Sequence, residues 1–390
     1  MTEKTKIILL IVLTAILIGA LVLVGVLSKG NSEPAPTVAP TEAPTEAPTE
    51  APTEVPTEAP TEAPTEEYAP DPIDDPSEPP VEISTEPPVI YTNPLTGEEV
   101  SGISNARFFA VSINNTRKAL PHVGTGNAAM VFEMFINDHA TRCLALFTDI
   151  KQVETIGAIR SWRYNFTDIA YAYDAICAHS GASKEVLGNA NKVGLDHFNV
   201  LNSAQVSYRD QNRIRSGYAK VDVLFARGPQ LYHYVESKGI PVTRNTELDY
   251  GLTFAADGTP TNGETANQIN LKFTHDRQVK LTTMIYDESQ GKYLYTQYGQ
   301  GITEGNEDYF ENVFVILTKV TNQGIYHIAE LDGNGKGYYA CGGKIIPILW
   351  HHDNPEDPFT FTLEDGTPLV QGIGNSYIGI CPLPSTISWE

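Results

Sequence analysis

Residues 40–67 read "PTEAPTEAPTEAPTEVPTEAPTEAPTEE", a four-residue repeat with a proline in every period. Proline at that spacing removes backbone donors that a helix or sheet ladder needs, and a stretch with almost no apolar side chains cannot offset the entropy lost on ordering. Extended polyproline segments are the conformation left, stiffened by like charges. We read residues 28–90 as a disordered stalk; about 60 residues at ~3.1 Å each reach at most ~180 Å. The stretch from Asn31 to Tyr91 holds 15 Asp and Glu and no Lys or Arg, so without it the formal net charge falls from −22 to −7. The acidity belongs to the stalk, and the remainder shows no basic face of the kind a nucleic-acid reader carries.

Before the stalk, Ile7 to Leu27 is an apolar run of 21 residues interrupted only by Thr14, Gly19 and Gly25, with Lys4 and Lys6 ahead of it. As a helix at ~1.5 Å per residue it spans a ~30 Å hydrocarbon core. A cleaved leader has a shorter apolar region and a small-residue cleavage site, which "VLSKGNSE" does not offer, and no cysteine lies there to take a lipid. The reading is an uncleaved signal anchor at 7–27 with a cytoplasmic tail at 1–6, a single pass, and everything after it outside the cell membrane; cleavage is the alternative.

Folded structure is expected from Tyr91. "RFFAVSIN" (Arg107–Asn114), "AAMVFEMF" (Ala128–Phe135) and "TRCLALFT" (Thr141–Thr148) are β-rich apolar runs separated by turn residues. "YNFTDIAYAY" (Tyr164–Tyr173) has helical spacing, "DAICAH" (Asp174–His179) reads as a buried strand, and "GASKEVLGNANKVG" as turn, helix and glycine stop. A further helix, "GPQLYHYVESKG", has Pro229 near its start and Gly239 as its stop. Strands interleaved with helices predict an α/β domain over 91–245, a mixed sheet with flanking helices. From about Ile269 the pattern turns to alternating runs such as "QVKLTTMIYD", "NVFVILTKVT" and "GYYACGGKIIPILW", which predicts a mostly antiparallel, β-rich second domain over 266–390.

The order of "NPLTGEEV", "AVSINNTRKALPHVG", "AAMVFEMF", "TRCLALF", "IGAIRSWRYNFTDIAYAYDAICAHSGAS" and "YRDQNR", followed by "GKIIPILW", "EDGTPL" and "SYIGICP", resembles the YerB-like lipoprotein family of bacteria over nearly all of Asn93–Pro382. The resemblance implies an extracytoplasmic, membrane-attached protein with an α/β domain followed by a β-rich one. It implies no reaction, because the family's domains are of unknown function. The chain departs from the family pattern in three places. The lipidation cysteine is absent, "IRSGYAKVD" stands where a Pro-His-Asn stretch is usual, and "YLY" (Tyr293–Tyr295) replaces a Tyr-x-Arg.

"TIGAIRSWRY" (Thr155–Tyr164) is the feature that bears most on function. The family pattern has Arg160 and Arg163 together with Arg142, Glu133, His179, Arg209, Asp210 and Arg213. Arg160 and Arg163 share a face if a helical turn includes both, and guanidinium forks suit phosphate or carboxylate. Gly181 and Ser183 could add backbone donors at a helix N-terminus. The expectation is one cleft gathering these groups around an anion; the competing reading has Glu133 and Asp210 pairing with the arginines as structural clamps. The compartment makes anionic wall polymers and lipid-linked intermediates available as partners, besides the membrane. An envelope glycopolymer transferase or hydrolase, or a protein–protein scaffold, is the alternative, and no cofactor is called for.

Other candidates carry less. Ser180 in "CAHSGAS" sits between strand and helix like a nucleophile elbow, without the glycine at both flanks that the signature wants. His351 and His352 stand beside Asp353 and Asp357, but adjacent residues of a strand face opposite ways, so no metal site is assigned. Cys143, Cys177, Cys341 and Cys381 allow three pairings; a Cys341–Cys381 bridge and four buried thiols are both compatible with the spacing.

Overall fold

A computed structural model describes residues 90–101, 105–137, 140–299 and 308–390. The apolar run 7–27 and the repeat lie outside them; among the described residues no helix is long and apolar enough to cross a membrane. The expected α/β segment holds strands β1 (Phe109–Asn115), β2 (Met130–Asn137) and β3 (Ala140–Phe147), helix α1 (Tyr164–Ala172), strand β4 (Ile176–His179), helix α2 (Lys184–Lys192), strand β5 (His197–Asn199), and helices α3 (Gln211–Arg215) and α4 (Gly228–Ser237). The β-rich segment adds β6 (Gln268–His275), β7 (Gln278–Asp287), β8 (Lys292–Gln297), β9 (Asn312–Thr318), β10 (Val320–Gln323), β11 (Tyr326–Ala329), β12 (Gly333–Cys341), β13 (Lys344–His352), β14 (Ser376–Pro382) and β15 (Thr386–Trp389).

The two segments share one sheet. Its central order is β13-β12-β9-β14-β2-β3-β1-β4-β5, within eleven strands in all. The join is β14, which runs parallel to both β9 and β2, with Ser376 opposite Met130 and Ile380 opposite Met134. Around the join, β3 is antiparallel to both β1 and β2, while β4 is parallel to β1. The β-rich segment is otherwise mostly antiparallel, including a second sheet of five strands built on β6, β7, β8 and β15.

Both faces of the large sheet are covered at its centre, which is why β1, β2, β3, β9 and β14 read as continuous apolar runs rather than as alternation. On β1, Phe109, Val111 and Ile113 join the core cluster that takes in α4 and the five-stranded sheet, while Ala110 joins the opposite cluster under α1 and α2. β3 follows suit, with Cys143, Ala145 and Phe147 on the first face and Leu144 and Leu146 on the second. All four cysteines are buried free thiols, so the Cys341–Cys381 bridge is not formed.

Candidate functional site

The Arg160–Arg163 segment is extended, not helical. Arg160 N–H donates to Ser112 O at 2.9 Å, Ser180 N–H to Arg160 O at 2.9 Å and Trp162 N–H to Gly181 O at 2.9 Å. Two hydroxyls complete the seam, Ser112 Oγ donating to Ser161 O and Ser161 Oγ to Ser180 O. The segment is thus stitched between β1 and the turn that follows β4. Trp162 is fully buried, lies edge-on to Phe166 and donates through Nε1 to Thr167 Oγ1 at 3.0 Å, fixing where α1 begins. Arg163 is the residue ahead of α1, at φ −136° and ψ 162°. The shared helical face expected for the two arginines is therefore replaced by an extended strap.

Arg142 meets this strap from beneath. It is an even-numbered position of β3, so its side chain leaves the sheet on the α1 face, where it is 3 % exposed. Its Nη1 donates to Ser161 O at 2.7 Å, and the same carbonyl takes a longer 3.4 Å bond from Arg163 Nη1, which also donates to Trp162 O at 2.8 Å. The Arg163 guanidinium lies 5.7 Å from the ring centre of Tyr326 on β11. Arg160 forms no side-chain hydrogen bond or ion pair among the described residues, and neither Arg142 nor Arg163 pairs with a carboxylate there. The Nε atoms of all three are buried without a hydrogen-bond partner. Burial, then the charges of Arg163 and Arg160, push Arg142 well below the usual arginine range; burial brings Arg163 to about 10, Tyr326 opposing and Arg160 adding to the drop. Buried cations without a counter-charge cost several kcal/mol.

The helix ends beside the strap differ. α2, the one expected to offer free donors, is closed: Ser183 Oγ accepts from Val186 N–H, Glu185 stands in its first turn, and Gly181 N–H is taken by Asn199 Oδ1. α1 has no capping side chain and no acidic residue in its first turn. His179, on the same face as Arg142, lies under Trp162 with ring centres 5.9 Å apart and forms a 3.2 Å bond to His197, which in turn bonds Asn191. Burial and His197 lower its pKa to about 4. It supports the strap as a neutral ring and adds no cation.

The other expected site residues lie elsewhere. Glu133 projects from the opposite face of the sheet, and its partner is a lysine, not an arginine. Lys280 of β7 contacts Glu133 Oε1 at 2.5 Å with both side chains fully buried. Thr141, Asn115, Thr282, Tyr295 and Tyr377 donate to the same carboxylate. Burial would raise that carboxyl, but Lys280 and the hydroxyl donors outweigh it and hold it below its usual range. Lys280 supplies the positive charge that meets Glu133, and Tyr295 adds a hydroxyl donor beside it. The sequence signal for Lys280 was its place in β7, where Lys280, Thr282 and Met284 point inward while Val279 is 45 % exposed. Arg209, Asp210 and Arg213 form a separate assembly. Arg209 Nη1 donates to Lys220 O, Asp210 caps α3, and Arg213 donates to Ala119 O and Pro121 O over the Phe225 ring.

Ser180 has no histidine or carboxylate bonded to its hydroxyl among the described residues. His351 bonds Thr362 while His352 stacks on Phe359 at 4.5 Å, and among the described residues no three His, Cys, Asp or Glu side chains gather to hold a metal. Two clefts of about 540 and 940 Å³ adjoin the Asn93 loop, and neither is lined by Arg142, Arg160 or Arg163. Asn93 bonds Thr148 and Thr96 bonds Glu98 there, and Arg244, which lines the larger cleft, has a buried Nε without a partner of its own.

Fold and site together define an α/β protein with a β-rich extension, distinguished by an arginine cluster that has no carboxylate partner among the described residues. The chain belongs to the family described as "Protein of unknown function (DUF3048)", whose N-terminal domain matches residues 95–240 and whose C-terminal domain matches 269–378. It is similar to "Putative lipoprotein YerB" of Bacillus subtilis (strain 168), 24 % identical over 313 residues that make up 74 % of this chain and 86 % of that protein. The crystal structure of the Bacillus subtilis YerB protein superposes with a TM-score of 0.66 and 23 % identity, covering 76 % of this chain and 99 % of that one. That likeness establishes the fold.

Proposed function

We propose that this is a membrane-attached protein of the cell envelope that binds an anionic group through Arg142, Arg160 and Arg163. Its attachment and outward orientation rest on the apolar run 7–27 behind Lys4 and Lys6, and on its similarity to a protein described as a lipoprotein. Protease added to intact cells is expected to remove the folded part; full protection would refute the orientation. The observation that carries the binding reading is the cluster itself: Arg142 and Arg163 share the Ser161 carbonyl, the charge of Arg160 reaches both, and no carboxylate among the described residues neutralises them. A structural clamp spends its donors on the protein, as Arg213 does; Arg160 spends none. Anionic wall polymers and lipid-linked intermediates are the partners within reach of a stalked domain. Melting of the full chain in phosphate, sulfate or citrate at constant ionic strength tests the reading. The expected result is a rise in Tm that Arg160→Gln abolishes; equal rises in both proteins would mean the anions act elsewhere.

A further inference from the structure

Resting on that reading, we propose that the group held by Arg142, Arg160 and Arg163 is a phosphoryl group, a tetrahedral oxyanion carrying two charges, and not a carboxylate. The first ground is charge. Arg142, which is 3 % exposed, shares the Ser161 carbonyl with Arg163 beside Arg160, with no carboxylate partner among the described residues, and a single carboxylate would leave two positive charges uncompensated where water is partly excluded. The carboxylates on the packed elements are engaged otherwise, Glu185 with Ser183 and the first turn of α2, Asp168 with Asn165.

The second ground is the number of acceptors required. Arg142 spends Nη1 on Ser161 O and Arg163 spends Nη1 on backbone carbonyls; the Nη2 group of each, and both Nη groups of Arg160, have no protein acceptor among the described residues, while the three Nε atoms are enclosed by protein. A carboxylate offers two oxygens to these donors, whereas a phosphoryl ester offers three that spread in different directions. The third ground is independent of the arginines. α1, nine residues long, starts at the residue after Arg163 with no side-chain cap and no acid in its first turn; Phe166 N–H turns back to Arg163 O, but the N–H groups of Tyr164 and Asn165 have no acceptor among the described residues, unlike the capped start of α2. Tyr326, under the Arg163 guanidinium and edge-on to Tyr164, forms an aromatic wall beside this end of the helix, against which the rest of an esterified ligand can pack.

Calorimetric titration of the full chain with inorganic phosphate, methyl phosphate and acetate at one ionic strength tests the assignment. Phosphate is expected to bind at least tenfold more tightly than acetate, and Arg160→Gln to weaken phosphate at least tenfold while melting as a folded protein. Methyl phosphate binding as well as phosphate would support an esterified ligand; inorganic phosphate binding alone would support the free ion. Acetate binding as tightly as phosphate, with both weakened by Arg160→Gln, would overturn the phosphoryl assignment and leave the anion-binding reading standing. No binding by any of the three, or binding that Arg160→Gln leaves unchanged, would overturn both.

Discussion

Glu133 and Arg142 lie on neighbouring strands, Glu133 directly opposite Cys143, yet one step of the pleat sends them to opposite faces of the sheet. A strand covered on both sides hides that separation from the sequence, because every position is buried whichever way it points. The types of residue were legible, and so was their place in apolar strands; which of them meet was not. Lys280 escaped notice because "QVKLTTM" alternates in the sense opposite to the usual one, with the valine outside and the lysine inside. A polar network in a core is stable only while fully satisfied. Glu133→Gln, which leaves Lys280 buried and charged, is therefore expected to cost about 3–5 kcal/mol, and Lys280→Met in the same chain to recover a large part of it. Denaturant unfolding of the single and double variants measures the difference; additive losses would contradict the pairing.

The helices are where the sequence was most readable, since periodicity and stop signals act locally. α2 follows Ser183 and ends before Gly194, and α4 carries Pro229 near its start. What periodicity could not show is that the residues before α1 form an extended strap, because that conformation is imposed by Ser112, Ser180 and Gly181, far away in sequence. α1 is fastened to β11 by Asn165, which donates to Ala329 O at 2.8 Å and accepts from Ala329 N–H at 2.9 Å. One turn on, burial, with Asp332 adding, raises the Asp168 carboxyl to about 6. An unfolded aspartate titrates near ~3.9, so between these values the folded state binds more protons and stability falls as pH rises. The penalty is complete above the folded value. Asp168→Asn is expected to stabilise the protein by roughly 1–3 kcal/mol at pH 7 and by little at pH 4. A gain that did not vary with pH would contradict it.

At the scale of the molecule, the described residues between 90 and 390 form one compact unit, and β14 ties the N-terminal and C-terminal family domains into a continuous sheet. The change in pattern near Ile269 marks a real change of architecture, from mixed α/β to antiparallel. It could not show the insertion of β14 beside β2, since a pairing across some 240 residues leaves no local trace. Such a body is expected to melt as a unit, so one temperature registers a change of charge at the strap. The central claim is that Arg160, the member of the cluster with no protein partner among the described residues, is held in place by the fold without contributing to its stability. The measurement that bears on it most directly needs no ligand: the Tm of Arg160→Gln against the parent chain in an anion-poor buffer. Removing a like charge with no protein partner is expected to leave Tm unchanged or raise it by about 1–2 °C. A fall of more than about 3 °C, the mark of a lost structural contact, would contradict the account.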